Sequence, residues 1–186
     1  MKKSILTVSL MAVIMTVVAA SCVNKPKAAE QTVAETVETA EAQAEEAQDD
    51  SLAPDFDLPN LQGSTTALSA LRGKYVVLDF WGSWCVWCIK GFPNMKTYYA
   101  KYKDQMEILG VDCRDTEEDW KAAVEKHQLP WMQVRCPDEQ LQAIAAKYGI
   151  EGFPTKVVID PQGKLLKTVV GEDPAFYTYL DTLFKK

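Results

Sequence analysis

The segment Tyr75-Val76-Val77-Leu78-Asp79-Phe80-Trp81 constrains the fold more than any other part of the chain, because its apolar residues are continuous rather than alternating. A strand of that pattern buries both of its faces, which places it in the middle of a sheet covered on both sides. Trp84-Cys85-Val86-Trp87-Cys88 follows it and leads into a stretch that reads as a helix. Such a strand-to-helix turn sets Cys85 at a helix N-terminus, where free backbone N–H groups and the macrodipole favour an anionic sulfur. Cys88 returns to the same side about one turn later, close enough to attack a disulfide formed at Cys85. The pair reads as a centre for reversible two-electron exchange between thiols and a disulfide.

A CxxC can also be half of a zinc site, which needs two further thiolates or imidazoles. The chain has no second CxxC, one histidine, His127, and two widely separated cysteines, Cys113 and Cys136. That ligand set does not complete a tetrahedron, so no metal and no other cofactor is called for. Simple packing would not require both thiols at a turn between Trp84 and Trp87.

The N-terminus indicates the compartment. Met1-Lys2-Lys3 is followed by an apolar run from Ile5 to Ala20, shorter than a spanning helix needs, and then by Ala19-Ala20-Ser21-Cys22. Residues 1–21 read as an export signal that is removed. The last four residues resemble the bacterial lipobox, although Ala19 stands where that motif usually has Leu. On this reading Cys22 is lipidated and begins the mature chain; cleavage without a lipid is the alternative.

Removing Lys2 and Lys3 with the leader takes the formal charge from −6 to −8. Six of those charges lie between Asn24 and Asp50, where Glu30, Glu35, Glu38, Glu41, Glu45, Glu46, Asp49 and Asp50 face only Lys25 and Lys27. Residues 22–50 have no aromatic residue and read as a flexible acidic tether spanning roughly 30 Å. The acidity therefore belongs to the tether, and nucleic acid is not an expected partner. Residues 51–186 are one domain by length.

Within that domain, Phe56–Leu58 and Thr65–Leu68 around Asn60-Leu61-Gln62-Gly63 predict a hairpin, and Leu68–Arg72 a helical turn. The active-site helix is expected from Cys85 to Lys103, interrupted or bent at Pro93. Strands at Met106–Asp112 and Trp131–Arg135 bracket a helix from Asp115 to His127 with Trp120, Ala123 and Val124 inward. A helix from Asp138 to Tyr148 stops at Gly149. Thr155–Asp160 and Lys164–Val170 form a second hairpin around Pro161-Gln162-Gly163, and Pro174–Lys186 a last helix. This alternation predicts an α/β sandwich. His127, near a helix end, reads as a favourable cation.

Asp79-Phe80-Trp81 before the Trp84-Cys85-x-x-Cys88 motif, Pro93 five residues past the second cysteine, and Gly152-Phe153-Pro154-Thr155 before a strand together resemble the thioredoxin superfamily. The opening Ala53-Pro54-Asp55-Phe56 hairpin and the added Asp115–Arg135 helix and strand resemble its TlpA/ResA-like envelope branch, over essentially all of residues 51–186. The resemblance implies a three-layer α/β/α thioredoxin-like sandwich with an N-terminal β-hairpin and an inserted helix–strand. It implies that Pro154 is cis and faces the active-site disulfide, and that Phe153 offers backbone groups to an extended substrate. Asp79 is the acid of an otherwise apolar strand, so burial should raise its pKa. By resemblance it is the proton acceptor for Cys88.

Val86-Trp87 replaces the Gly-Pro common between the cysteines of thioredoxins, and neither residue can make a charge-assisted bond to a thiolate. A strongly oxidising enzyme needs its reduced form stabilised by roughly 7 kcal/mol over a reducing one. Val-Trp supplies no such interaction directly, so reduction or isomerisation of disulfides in envelope proteins is the expected direction. The implied partners are protein disulfides and thiols, a thiol-reducing transmembrane protein as electron donor, and the membrane through the lipid anchor, in a periplasm-facing setting. Trp84 and Trp87 are candidate substrate contacts, with packing against the domain the alternative for Trp87. Cys113 and Cys136 end consecutive strands, and either form a second disulfide or remain two buried thiols. Two rivals are a peroxiredoxin-like peroxidase, whose Pro and Thr or Ser positions are here Leu78 and Gly82, and a copper-delivery module, whose relatives use a wider cysteine spacing and a well-placed histidine.

Overall fold

The computed structural model describes residues 51–185. The segments 1–21 and 22–50, with the signal and tether assigned to them and Cys22, lie outside the described residues. A short antiparallel hairpin, β1 (Asp57–Pro59) and β2 (Thr65–Ala67), opens the domain and is followed by a 3-10 turn at Leu68–Leu71. The chain continues through β3 (Tyr75–Trp81), α1 (Val86–Tyr102), β4 (Met106–Cys113), α2 (Glu117–His127) and β5 (Met132–Cys136). It closes with α3 (Asp138–Tyr148), β6 (Thr155–Ile159), β7 (Leu165–Val170) and α4 (Pro174–Phe184).

The five long strands form one sheet in the order β5-β4-β3-β6-β7. β3 pairs parallel with β4 and antiparallel with β6, and so lies at the centre, as its apolar run predicts. The β4–α2–β5 crossover joins adjacent parallel strands and sets Cys113 opposite Cys136 in register.

Alternation along β3 separates two cores. Val77 and Trp81 pack with Cys85, Cys88, Phe92 and Met95 of the α1 region, Trp120 of α2 and Phe176 of α4. Val76, Leu78 and Phe80 pack on the other side with Ile144 and Tyr148 of α3 and with Phe56 and Leu58 of the opening segment. The result is the expected α/β/α three-layer sandwich. Asp79, between Val77 and Trp81, belongs to the α1–α4 side.

One local expectation needs correction. α1 runs without interruption through Pro93. The proline removes one hydrogen bond, but Phe92 and Met95 beside it are buried, and packing of that apolar face holds the helix together. α2 begins as its capping and acidic residues predict: Thr116 is the N-cap, its hydroxyl accepting from Asp119 N at 3.1 Å, and Glu117, Glu118 and Asp119 make an acidic first turn.

Backbone contacts pin the start of the domain to the β6–β7 turn. Ala53 N donates to Gly163 O at 2.8 Å, Leu165 N donates to Ser51 O at 2.9 Å, and Leu52 bridges Lys164. Since β6 is antiparallel to β3 and Ile159 pairs with Val76, this turn lies at the end of the sheet where β3 begins.

Candidate active site

Parallel β3 and β4 both end at one edge of the sheet, and the loops after them build the site. Cys85 is the N-cap of α1, with its side chain accepting from Cys88 N at 3.1 Å. This is one of the backbone donors left free by the first helical turn, and it would favour a thiolate at Cys85 once the disulfide is reduced. Cys85 and Cys88 are joined in a disulfide with a Cα–Cα distance of 5.3 Å. Both cysteines are buried, Cys85 keeping 6% of its surface exposed and Cys88 2%.

The loop before Cys85 is held by its neighbour after β4. Asp115 accepts from both Ser83 N (2.6 Å) and Ser83 Oγ (2.9 Å). Arg135 Nη1 donates to the Asp115 carbonyl at 3.3 Å, linking β5 to the same loop. The Trp84 indole donates to Cys113 O at 3.0 Å and crosses Gly82 so closely that a Cβ there would lie 2.4 Å from Nε1. Gly82 is thus the residue that admits Trp84 to this position.

The Phe153–Pro154 peptide is cis. The Phe153 ring meets Trp84 edge-on with centroids 5.2 Å apart, which brings the proline loop against the residue preceding Cys85. Arg114, whose φ of 69° is unusual for a side chain other than glycine, sets its guanidinium 5.5 Å from the Trp84 ring and 5.3 Å from the Phe153 ring. Trp84 is 45% exposed and Trp87 61%, and Lys90 Nζ lies 4.5 Å over the Trp87 ring. Trp87 therefore lies at the surface rather than packing into the domain. With exposed Val86, Trp84 and Trp87 give the residues around the two cysteines an exposed apolar character, and Arg114 and Lys90 set cations against the two indoles.

Beneath α1, Asp79 faces Lys156 directly across the β3–β6 ladder, with Lys156 Nζ 3.9 Å from Asp79 Oδ1. The same Nζ donates to Glu172 Oε2 at 2.9 Å, and Tyr177 OH donates to Glu172 Oε1 at 2.5 Å. Burial pushes the Asp79 carboxyl up; Lys156 pulls it back and Glu172 adds to the rise. Sequence reading singled out Asp79 but not its partners. The signal for Lys156 was present: it is the one charged residue in Thr155-Lys156-Val157-Val158-Ile159.

A second buried acid also went unnoticed. Asp112 is fully buried at the end of β4, and its carboxyl is pushed up to about 9, first by burial and then by Asp115. Its even register along β4, with Met106 and Ile108 in the α1–α4 core, could have flagged it as an inward acid. Cys113 and Cys136 are free buried thiols on the opposite face, not a second disulfide. His127 packs on Phe92 at 5.4 Å, and burial with Lys126 and Lys96 holds its pKa below the ordinary value, so it is not the cation expected. Among the described residues no helix is long and apolar enough to cross a membrane.

A disulfide at the N-terminus of α1, preceded by a tryptophan that packs on the cis-proline loop and following a central parallel strand, defines a thioredoxin-type thiol–disulfide oxidoreductase. Comparison with known proteins agrees, since the thioredoxin-like family model matches residues 73–165. The thiol-disulfide oxidoreductase ResA of Bacillus anthracis is 36% identical over 121 residues, 64% of this chain and 68% of that protein. The thioredoxin domain of a thiol-disulfide oxidoreductase from Bacteroides vulgatus superposes with a TM-score of 0.67 at 33% identity, covering 72% of this chain and 95% of that one. An exposed lipoprotein thioredoxin of Streptococcus pneumoniae gives a TM-score of 0.59 at 29% identity, over 69% and 99% of the two chains. The chain belongs to the thioredoxin-like family, and its activity is thiol–disulfide oxidoreduction.

Proposed function

We propose that this protein reduces or isomerises disulfides of other proteins in a bacterial envelope, on the periplasmic side, held to the membrane by a lipid on Cys22. The observation that carries the reading is the Cys85 sulfur at the N-cap of α1, accepting from Cys88 N–H, with exposed Trp84 and Trp87 beside it in the chain. In the reduced protein the Cys85 thiolate attacks a partner disulfide. One partner sulfur leaves as thiolate, and Cys85 is joined to the other.

Cys88 then gives its proton to Asp79 and attacks Cys85 Sγ. The intermolecular S–S bond breaks, the partner leaves reduced, and the Cys85–Cys88 disulfide forms. Phe153 and Pro154 align the partner backbone beside the sulfurs, while Trp84 and Trp87 supply apolar contact. A membrane thiol-reducing protein returns two electrons to Cys85–Cys88. Residues 1–21 act as the signal and residues 22–50 as the tether. The lipobox-like residues before Cys22 support the anchor, and the pneumococcal relative is itself named a lipoprotein.

Replacing Cys88 with Ser removes the resolving thiol and should leave partners covalently attached to Cys85 in cells. Recovery of thiol-releasable conjugates bearing envelope proteins is the expected result. Their absence, with the variant folded and exported, would overturn the proposal.

A further inference from the structure

Glu172 enters the α1–α4 side of the sheet from the turn after β7, and it can do so because residue 91 has no side chain. A Cβ on Gly91 would lie 2.3 Å from Glu172 Oε2 and 2.7 Å from its carboxyl carbon. Gly91 is three residues past Cys88 and therefore on the same face of α1. Glycine inside a helix is disfavoured relative to alanine, so this gap has a stability cost that the close approach of Glu172 accounts for.

The groups packed here are few and unbalanced. β6 contributes Lys156, the turn before α4 contributes Glu172, α4 contributes Tyr177, and β4 places uncharged Gly110 beside Asp79, on the sheet face whose core also holds Cys88. Two carboxyls therefore compete for one buried ammonium. Lys156 resolves the competition toward Glu172, at 2.9 Å against 3.9 Å for Asp79. Asp79 Oδ1 is left buried with no hydrogen-bond partner among the described residues.

We propose that Glu172 is a positioning residue for the resolving step: by holding Lys156 away from Asp79, it keeps the Asp79 carboxylate unneutralised and basic enough to take the Cys88 proton. Without Glu172, Lys156 would close on Asp79 and form a direct ion pair, and the acid would become a poor base. This inference rests on the reading of Asp79 as proton acceptor. Tyr177 stabilises the arrangement through its hydrogen bond to the second oxygen of Glu172.

The test uses reduced full-length protein and 5,5′-dithiobis(2-nitrobenzoate), which releases one chromophore when Cys85 attacks and a second when Cys88 resolves. The second phase reports the step in question. In Glu172→Gln its acid limb should move to lower pH, and its plateau rate should fall about three- to tenfold. Lys156→Gln should move the same limb to higher pH. Gly91→Ala, a substitution that favours the helix, should reproduce the direction of Glu172→Gln by pushing the carboxylate away. Carboxyl 13C titration of Asp79 reads the same shifts without turnover.

An acid limb and an Asp79 titration unmoved in both Glu172→Gln and Gly91→Ala would overturn the role of Glu172, even where Asp79→Asn slows the second phase. A second phase unchanged in Asp79→Asn would instead overturn the role of Asp79 and, with it, this inference.

Discussion

Asp115 accepts two hydrogen bonds from Ser83, from the backbone N–H at 2.6 Å and from the hydroxyl at 2.9 Å, and so fastens the loop before Cys85 to the loop after β4. The carboxylate is spared for this because Thr116 caps α2 in its place. Asp115→Ala should lose two charge-assisted hydrogen bonds and about 2–3 kcal/mol of stability, measured by denaturant unfolding of the oxidised protein. Asp115→Asn, which keeps an acceptor for the Ser83 N–H, should lose less.

The Trp84 indole lies across Gly82, and a methyl group there would meet its Nε1 at 2.4 Å and Cys113 O at 2.9 Å. Gly82→Ala should displace Trp84 from Cys113 O, destabilise the fold by about 1–3 kcal/mol, and alter Trp fluorescence near the disulfide. Partner disulfides should be reduced more slowly because the Trp84 contact with Phe153 is disturbed. Unchanged fluorescence and rate would show that the loop can yield without moving the indole.

Asp112 gives the protein a pH dependence of definite sign. Its folded pKa, about 9, stands above the ordinary carboxyl value of 3.8. The folded state therefore holds this proton more tightly than the unfolded chain does, and the resulting stability is complete below about pH 4 and lost as pH rises through about 9. Asp79, raised by burial, acts in the same direction. Asp112→Asn should flatten the alkaline fall and stabilise the protein at pH 9 by about 2 kcal/mol or more, read from unfolding curves at pH 5, 7 and 9. A wild-type protein whose stability rises across that interval would contradict the assignment.

Cys113 and Cys136 face each other in register as buried thiols, and the hydrogen bond to Cys136, with burial, pushes the Cys113 thiol up. Neither should react with an alkylating reagent in the native oxidised protein. Both should be labelled after unfolding without reductant, as peptide mass analysis would show. Failure to label them after unfolding would mean that they are joined in the isolated protein.

The layers of the fold were legible because β3 is apolar at consecutive positions and the later strands and helices alternate behind it. The cysteine pair and the proline loop were legible as short motifs. What escaped were features that depend on which strands become neighbours. Lys156 acquires meaning only when β6 lies antiparallel to β3 and brings it opposite Asp79. Glu172 reaches that pair from a turn, and the sole trace of its path in the sequence is a glycine inside a helix. Arg114 and Asp112 flank Cys113, and their contacts with the Trp84 loop and Asp115 arise from packing after β4, which periodicity does not report.

The pairing of Ser51, Leu52 and Ala53 with the β6–β7 turn has a geometric consequence for the anchoring proposed above. The polypeptide enters the domain at one pole of the sheet, whereas Cys85 sits past the far end of β3, about 20 Å away along the strand. The backbone that precedes residue 51 therefore joins the domain at the pole opposite Cys85. Under the proposed anchoring, attachment through the chain before Ser51 and access to the sulfurs would make no competing demands on one pole of the domain.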